Sequence, residues 1–328
     1  MAPSCNCKSA TISAAWGLLL LCVSFMAEPV SGELVPALYV LGDSQADAGN
    51  NNHLVLPPTA QGQLPAQRHR LPGAAGHRQG LAISFDEQIE RDYAAVYGGL
   101  VRQLGPAQAS VHVARSIFTV AIGGNDIAAR VLSDQRQMSS DQQLIGSLAQ
   151  SLKRKLQFSH SSEKQDCASE FQRMYRLGMR RLFFVGTGPL GCYPLLRQRS
   201  LATECDAEAS SLSVRYRAAA AAILRDMSTR RPGFRYSPFD QYTALLGYIQ
   251  EPEANGFADA KAACCALGNS TALLICTPEN ALCADRTSHV FWDGAHLTEA
   301  TAEKLVAVAF NGSAPLVSPV NLKQLSAP

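Results

Sequence analysis

Charge of one sign is what this sequence lacks most. Lys and Arg total 29 against 27 Asp and Glu, a formal net charge of +2 over 328 residues, and no polybasic run occurs. A nucleic-acid surface needs a concentrated basic footprint, so that class of partner is excluded. Aromatic residues are scarce at 7%, which argues against a stacking platform for bases or sugars. One long apolar run exists, at 12–27 (ISAAWGLLLLCVSFMA), and it falls short of the ~20 residues a membrane-spanning helix requires. No Cys-x-x-Cys pair is matched by a second, so a zinc site is not expected. Internal repeats are lacking as well. Apolar residues make up 47% and charged residues 17%, enough to bury a sizeable core.

Lys8 ahead of the apolar run and the small residues Val30-Ser31-Gly32 after it predict a secretory signal peptide over 1–32, with a single domain over 33–328. Beyond the leader lie Cys167, Cys192, Cys205, Cys264, Cys265, Cys276 and Cys283. In an oxidising compartment most of these should pair, and the odd number leaves one over. Cys167, inside a helical pattern, is the expected free thiol. Asn269-Ser270-Thr271 and Asn311-Gly312-Ser313 are glycosylation sequons, consistent with export.

Apolar runs rich in β-branched and aromatic residues predict buried strands at 37–41, 116–122 and 181–185, with a shorter one at 234–236. The first three each run into a glycine. Amphipathic helical patterns cover 85–104, 141–158, 168–178, 207–228 and 297–310. The alternation predicts an α/β protein with a mostly parallel sheet covered on both faces, and ligand sites at the carboxyl ends of the strands. The interval 54–80 breaks this pattern. It holds four Pro, four Gly and four Gln but no Asp, Glu, Phe, Tyr, Trp or Ile, and reads as a loop without a core of its own.

Three motifs carry chemistry. Gly42-Asp43-Ser44 follows the first strand, so a serine on a tight turn presents its hydroxyl, and its own N–H, at the sheet edge. The following Gln45-Ala46 lacks the last glycine of a Gly-x-Ser-x-Gly elbow. Gly123-Gly124-Asn125-Asp126 ends the second strand, where an Asn carboxamide can donate to the same oxyanion. Phe291-Trp292-Asp293-Gly294-Ala295-His296 places a carboxylate three residues before an imidazole, close enough to fix its tautomer. The other six histidines have no such partner. Gly186-Thr187-Gly188-Pro189-Leu190-Gly191 fits a dinucleotide fingerprint, but the sequence after it reads as a cysteine-tied loop rather than an opening helix.

In this order the motifs resemble the plant secreted branch of the GDSL lipase/esterase family, within the SGNH hydrolases. The opening Gly-Asp-Ser followed by Asp47-Ala48-Gly49-Asn50-Asn51-Asn52 carries the resemblance, as do the middle Gly-x-Asn-Asp, the block Gly188-Pro189-Leu190-Gly191-Cys192-Tyr193-Pro194, the Cys264-Cys265 pair and the closing Trp-Asp-x-x-His. The resemblance implies a flavodoxin-like three-layer α/β/α sandwich and a serine esterase needing no metal or cofactor. Its substrate would be an ester of small-molecule or polymer type: an acyl lipid, a cutin-like ester or an acetylated polysaccharide. By the same resemblance Ser44 is the nucleophile, His296 the base and Asp293 its orienter. Ser44 N–H and Asn125 form part of the oxyanion hole, with Gly42, Asp43, Gly123 and Asp126 in support. Cys192 would pair with Cys205, and Cys264 and Cys265 with Cys276 and Cys283 in an open connectivity. Two departures stand out. Leu297 replaces the proline usual after the histidine. The family's Gly-Arg-Phe-Ser-Asn-Gly and Asn-Phe-Ala-Ser-Gly-Gly segments, the second of which supplies a further oxyanion donor, have no counterpart between Ser44 and Asn125. The interval 54–80 in their place reads as frame-shifted or mis-spliced sequence or as a diverged loop. A catalytically silent lipid- or wall-binding protein on the same fold is therefore the alternative to an active esterase.

Overall fold

The computed structural model describes residues 35–46, 83–133, 140–156, 173–199, 204–266, 276 and 281–328. The leader at 1–32, residues Asp47 to Asn52, the interval 54–80, Cys167 and Asn269 lie outside them.

Four parallel strands form the central sheet in chain order: β1 Leu38–Gly42, β2 Ile117–Ala121, β3 Arg181–Val185 and β4 Arg235–Phe239. Leu41 pairs with Val120, and Val120 with Phe184, so the strand ends stay level and their glycine turns gather at one rim. Side chains alternate across the sheet as strand geometry demands. Phe118, Val120, Leu182 and Phe184 pack into one core with helices α1 Ala94–Leu104, α2 Pro106–Arg115, α3 Gly124–Leu132, α4 Asp141–Leu156 and α5 Ala207–Arg230. Ile117, Phe183 and Phe239 face a second core against α6 Gln241–Gln250, α7 Glu299–Asn311 and α8 Leu322–Ser326. Helices on both faces of a parallel sheet make three layers. Among the described residues no helix is long and apolar enough to cross a membrane.

Three of the predicted strands are reproduced within a residue at each end, and β4 extends three residues beyond its prediction to Phe239. β1 is less buried than its sequence suggests, because Leu38 and Val40 are 59% and 48% exposed. It stands at the edge of the four-stranded sheet, and the second core reaches Ile117 on β2 without covering them. Of the pattern at 168–178 only Arg173–Arg176 is a described helix.

A smaller parallel pair, β5 Asp259–Ala263 with β6 His289–Phe291, lies beside the second core. Three disulfides join Cys192 to Cys205, Cys264 to Cys283 and Cys265 to Cys276, which resolves the pairing left open among the last four.

Candidate active site

The Ser44 turn starts at Gly42, whose φ is +155° and where a Cβ would run into the Ala121 carbonyl of β2. Only glycine fits there. Asp43 N–H donates to Ala121 O at 3.0 Å, carrying the ladder one step past the strand, and Ala46 N–H donates back to Asp43 O at 3.0 Å. The Asp43 carboxylate accepts from Gln45 N–H at 3.0 Å. Ser44 is thus held inside a closed turn, and its own N–H makes no hydrogen bond among the described residues. From a neighbouring helical turn, the Gln88 carboxamide pairs both ways with Gly42: Gly42 N–H donates to Oε1 at 2.8 Å and Nε2 donates to Gly42 O at 2.7 Å.

The second motif opens α3. Gly123, at φ +104°, takes a left-handed conformation, and a Cβ on it would strike the Tyr216 ring of α5. Among the described residues no side chain caps the start of this helix. Asn125 lies in its first turn and lines the same cleft as Ser44. Asp126 follows it, and its charge, after burial, helps push the Asp43 carboxyl above the usual carboxylate range. Gln45 N–H and the His296 imidazole partly oppose that shift.

The third motif leaves β6. Trp292 N–H donates to His296 O at 2.9 Å, closing the turn between them. Asp293 is 4% exposed, and its Oδ1 accepts from Ala295 N–H and His296 N–H at 2.8 Å each. The His296 Nδ1 lies 2.9 and 2.8 Å from the two carboxylate oxygens, and its Nε2 lies 2.9 Å from Ser44 Oγ. With Nδ1 protonated, the imidazole donates to Asp293 and accepts from the serine hydroxyl. Burial pulls the His296 pKa down. The hydrogen bond and charge of Asp293, joined by the charge of Asp43, outweigh it and hold the imidazole above its ordinary value.

The cleft in front of these groups is partly open to solvent and is lined by Ser44, Asn125 and Gly294 among others. Segment 186–191 forms one of its walls. It passes into a 3-10 turn, Leu190–Cys192, instead of a long helix, so the backbone of a dinucleotide fingerprint is not built there. Leu195 N–H donates to Gly294 O at 3.0 Å, tying this disulfide-closed segment to the histidine turn.

The sequence matches the family described as GDSL-like Lipase/Acylhydrolase over residues 38–308. The chain belongs to this family. An Arabidopsis thaliana GDSL esterase/lipase is 30% identical over 363 aligned positions, covering 91% of this chain and 92% of the relative. A second from the same plant is 24% identical, covering 94% and 96%. The alignment of 363 positions is longer than the 328-residue chain, so the relative carries residues that have no counterpart here. Membership places the GDSL chain among hydrolases of ester bonds.

Of the residues singled out in the sequence, His296 comes within hydrogen-bond reach of both Ser44 and Asp293, while Asn125 lines the cleft beside Ser44. Asn311 ends α7 at the surface and is not among the residues lining the cleft. Two neighbours escaped the sequence reading. Gln88 holds the Gly42 peptide, and Gln45 Nε2 donates to Ala295 O at 2.8 Å, joining the serine turn to the histidine turn. Each binds a backbone atom, and nothing in a side chain's identity announces such a partner.

Proposed function

We propose that this GDSL protein is an exported serine esterase that cleaves carboxylic esters through an acyl-enzyme. The supporting observation is the chain of short contacts from Ser44 Oγ through His296 to Asp293, at 2.9 and 2.8 Å. In this reading Ser44 Oγ attacks the ester carbonyl while His296 Nε2 takes its proton. Negative charge gathers on the former carbonyl oxygen, where Ser44 N–H and the Asn125 carboxamide donate to it. Collapse expels the alcohol, which receives the proton from His296. Water then attacks the acyl-serine, again giving its proton to His296, and releases the acid and a restored Ser44. Asp293 holds the imidazole in the tautomer that makes both transfers possible.

The three disulfides, the apolar leader pattern at 1–32 and the exposed sequon at Asn311 support export, with one hydrolase domain over 33–328. Acyl lipids, cutin-like esters and acetylated polysaccharides are the substrate classes in view. A p-nitrophenyl ester series on purified protein tests the reading. Wild type is expected to exceed Ser44→Ala by about 10⁴-fold or more, and Asn125→Ala should lose ~10²–10³ in kcat. Equal rates for wild type and Ser44→Ala would replace the enzyme with a silent binding protein on the same fold.

A further inference from the structure

The cleft has two unlike walls. On the α3 side it is apolar, with Ile122 and Ala128 packed against the first core. On the α6 and α7 side stand Tyr193 and Gln241, polar side chains only 4% and 8% exposed. Neither the Tyr193 hydroxyl nor the Gln241 carboxamide makes a hydrogen bond among the described residues. The hydroxyl points at Gly188, itself part of the cleft wall, where a Cβ would come within 2.9 Å of it. Both side chains are largely buried, yet neither polar end is wholly shut off from solvent, so each can meet a ligand that enters the cleft. Together on one wall of a reaction cleft, they are placed to meet a ligand's polar atoms.

We propose that Tyr193 and Gln241 form a hydrogen-bonding subsite for the alcohol portion of the substrate, so that the preferred esters are those of polyhydroxy alcohols. The assignment rests on the esterase reading and follows from which side of the cleft His296 serves. His296 delivers its proton to the departing alcohol, so the alcohol lies on the histidine side. Tyr193 is on that side: its ring packs on Phe291, 5.1 Å between centroids, at the end of the strand leading into the Asp293 turn. Asn125 stands on the opposite, apolar wall, where the acyl group and its oxyanion belong. Burial pushes the Tyr193 phenol well above its ordinary pKa, so it remains a donor, whereas a carboxamide both donates and accepts. Together the pair suits two neighbouring hydroxyls of glycerol or a sugar and leaves a plain alkyl chain unmatched.

Three butyrates that share one acyl group test this: propyl butyrate, glyceryl monobutyrate and a glucoside 6-butyrate, followed by pH-stat titration. Wild type should favour a hydroxylated ester over the propyl ester by about tenfold or more in kcat/KM. The glyceryl and glucoside arms tell which polyol is the better fit. In Gln241→Leu, and separately in the near-isosteric Tyr193→Phe, that preference ratio should collapse toward one. A wild-type ratio near one, or a ratio that survives both substitutions, overturns the subsite. Binding of the same esters to Ser44→Ala, read by saturation-transfer NMR, separates the two readings. Should wild type turn over none of the esters, the esterase reading falls. The subsite then stands if Ser44→Ala prefers the hydroxylated ester and loses that preference with Gln241→Leu, and falls if the esters bind alike.

Discussion

Ser44 and His296 meet at 2.9 Å, yet the turns that present them are held by different means. The histidine turn is tied into backbone and covalent structure on both sides. Cys264 N–H donates to Phe291 O at 2.9 Å and Cys265 N–H to Trp292 O at 2.7 Å, and each cysteine is itself in a disulfide. Beyond the turn, Thr298 Oγ1 donates to His289 O at 2.7 Å. The serine turn grows from β1, a strand with Leu38 and Val40 in solvent, and relies on the Gln88 carboxamide and on a glycine at Gly42. The half of the site that, in the proposed mechanism, orients the base carries redundant support. The half that would carry the nucleophile adds to its own backbone closure the support of one distant side chain, Gln88.

Among changes to the groups that hold Ser44 and His296 in place, the largest effect falls within the well-supported half. Asp293→Asn should lower kcat by about 10³–10⁴-fold while the turn keeps its fold, because the orienting carboxylate is lost rather than its frame. The pH profile carries a second signature. In the proposed mechanism His296 acts as a neutral imidazole, and its pKa is raised, so wild-type activity should fall as pH drops through a value above that of an ordinary histidine. Removing the Asp293 charge removes what raises it, and the acid limb of the residual activity should move to lower pH. A limb that stays in place would mean another group controls it.

Next in size is the covalent support. Replacing Cys265 and Cys276 together by serine should destabilise the fold by about 3 kcal/mol, visible as a lower Tm, while kcat of the folded protein changes little. The hydrogen bonds from Ala295 N–H and His296 N–H to Asp293 do not depend on that bridge. A kcat that falls as steeply as stability would show the histidine turn to be less self-sufficient than its bonding suggests.

Gln88→Leu should behave in the opposite way. It strips partners from both the N–H and the C=O of Gly42, and unpaired backbone groups cost about 1–3 kcal/mol each when buried. The damage lands one residue before Asp43 and two before Ser44, so kcat should fall about tenfold to a hundredfold. Gln88→Glu, which can still accept from Gly42 N–H, should fall between that variant and wild type.

The same contrast explains what could be read from sequence. β2 and β3 were legible because IFTVA and RLFFV are unbroken apolar runs ending at a glycine turn. The Asp293–His296 contact was legible because both members sit in one short turn. β4 was only partly visible: RYSPF carries an arginine and a proline, which an outer strand of the sheet tolerates. The exposure of Leu38 and Val40 was hidden because a strand's own residues do not say which neighbours cover it. Gln88 was hidden for a related reason, since its partner is a peptide group 46 positions away chosen by packing.

Gln45 gives the smallest effect and the sharpest use of the comparison. Its side chain makes a hydrogen bond between the two turns, Nε2 to Ala295 O at 2.8 Å, alongside the Ser44–His296 contact itself. That bond is exposed to water, which competes for both partners, so its net worth is about 1 kcal/mol. The serine turn keeps its closure from Ala46 N–H to Asp43 O, and the histidine turn keeps its own from Trp292 N–H to His296 O. Gln45→Leu should therefore cost only a few-fold in kcat, with the pH profile unmoved. A loss as large as that of Gln88→Leu would mean that the turns are aligned by this cross-link and not each by its own frame. The catalytic distance would then be set between the two regions and not within them.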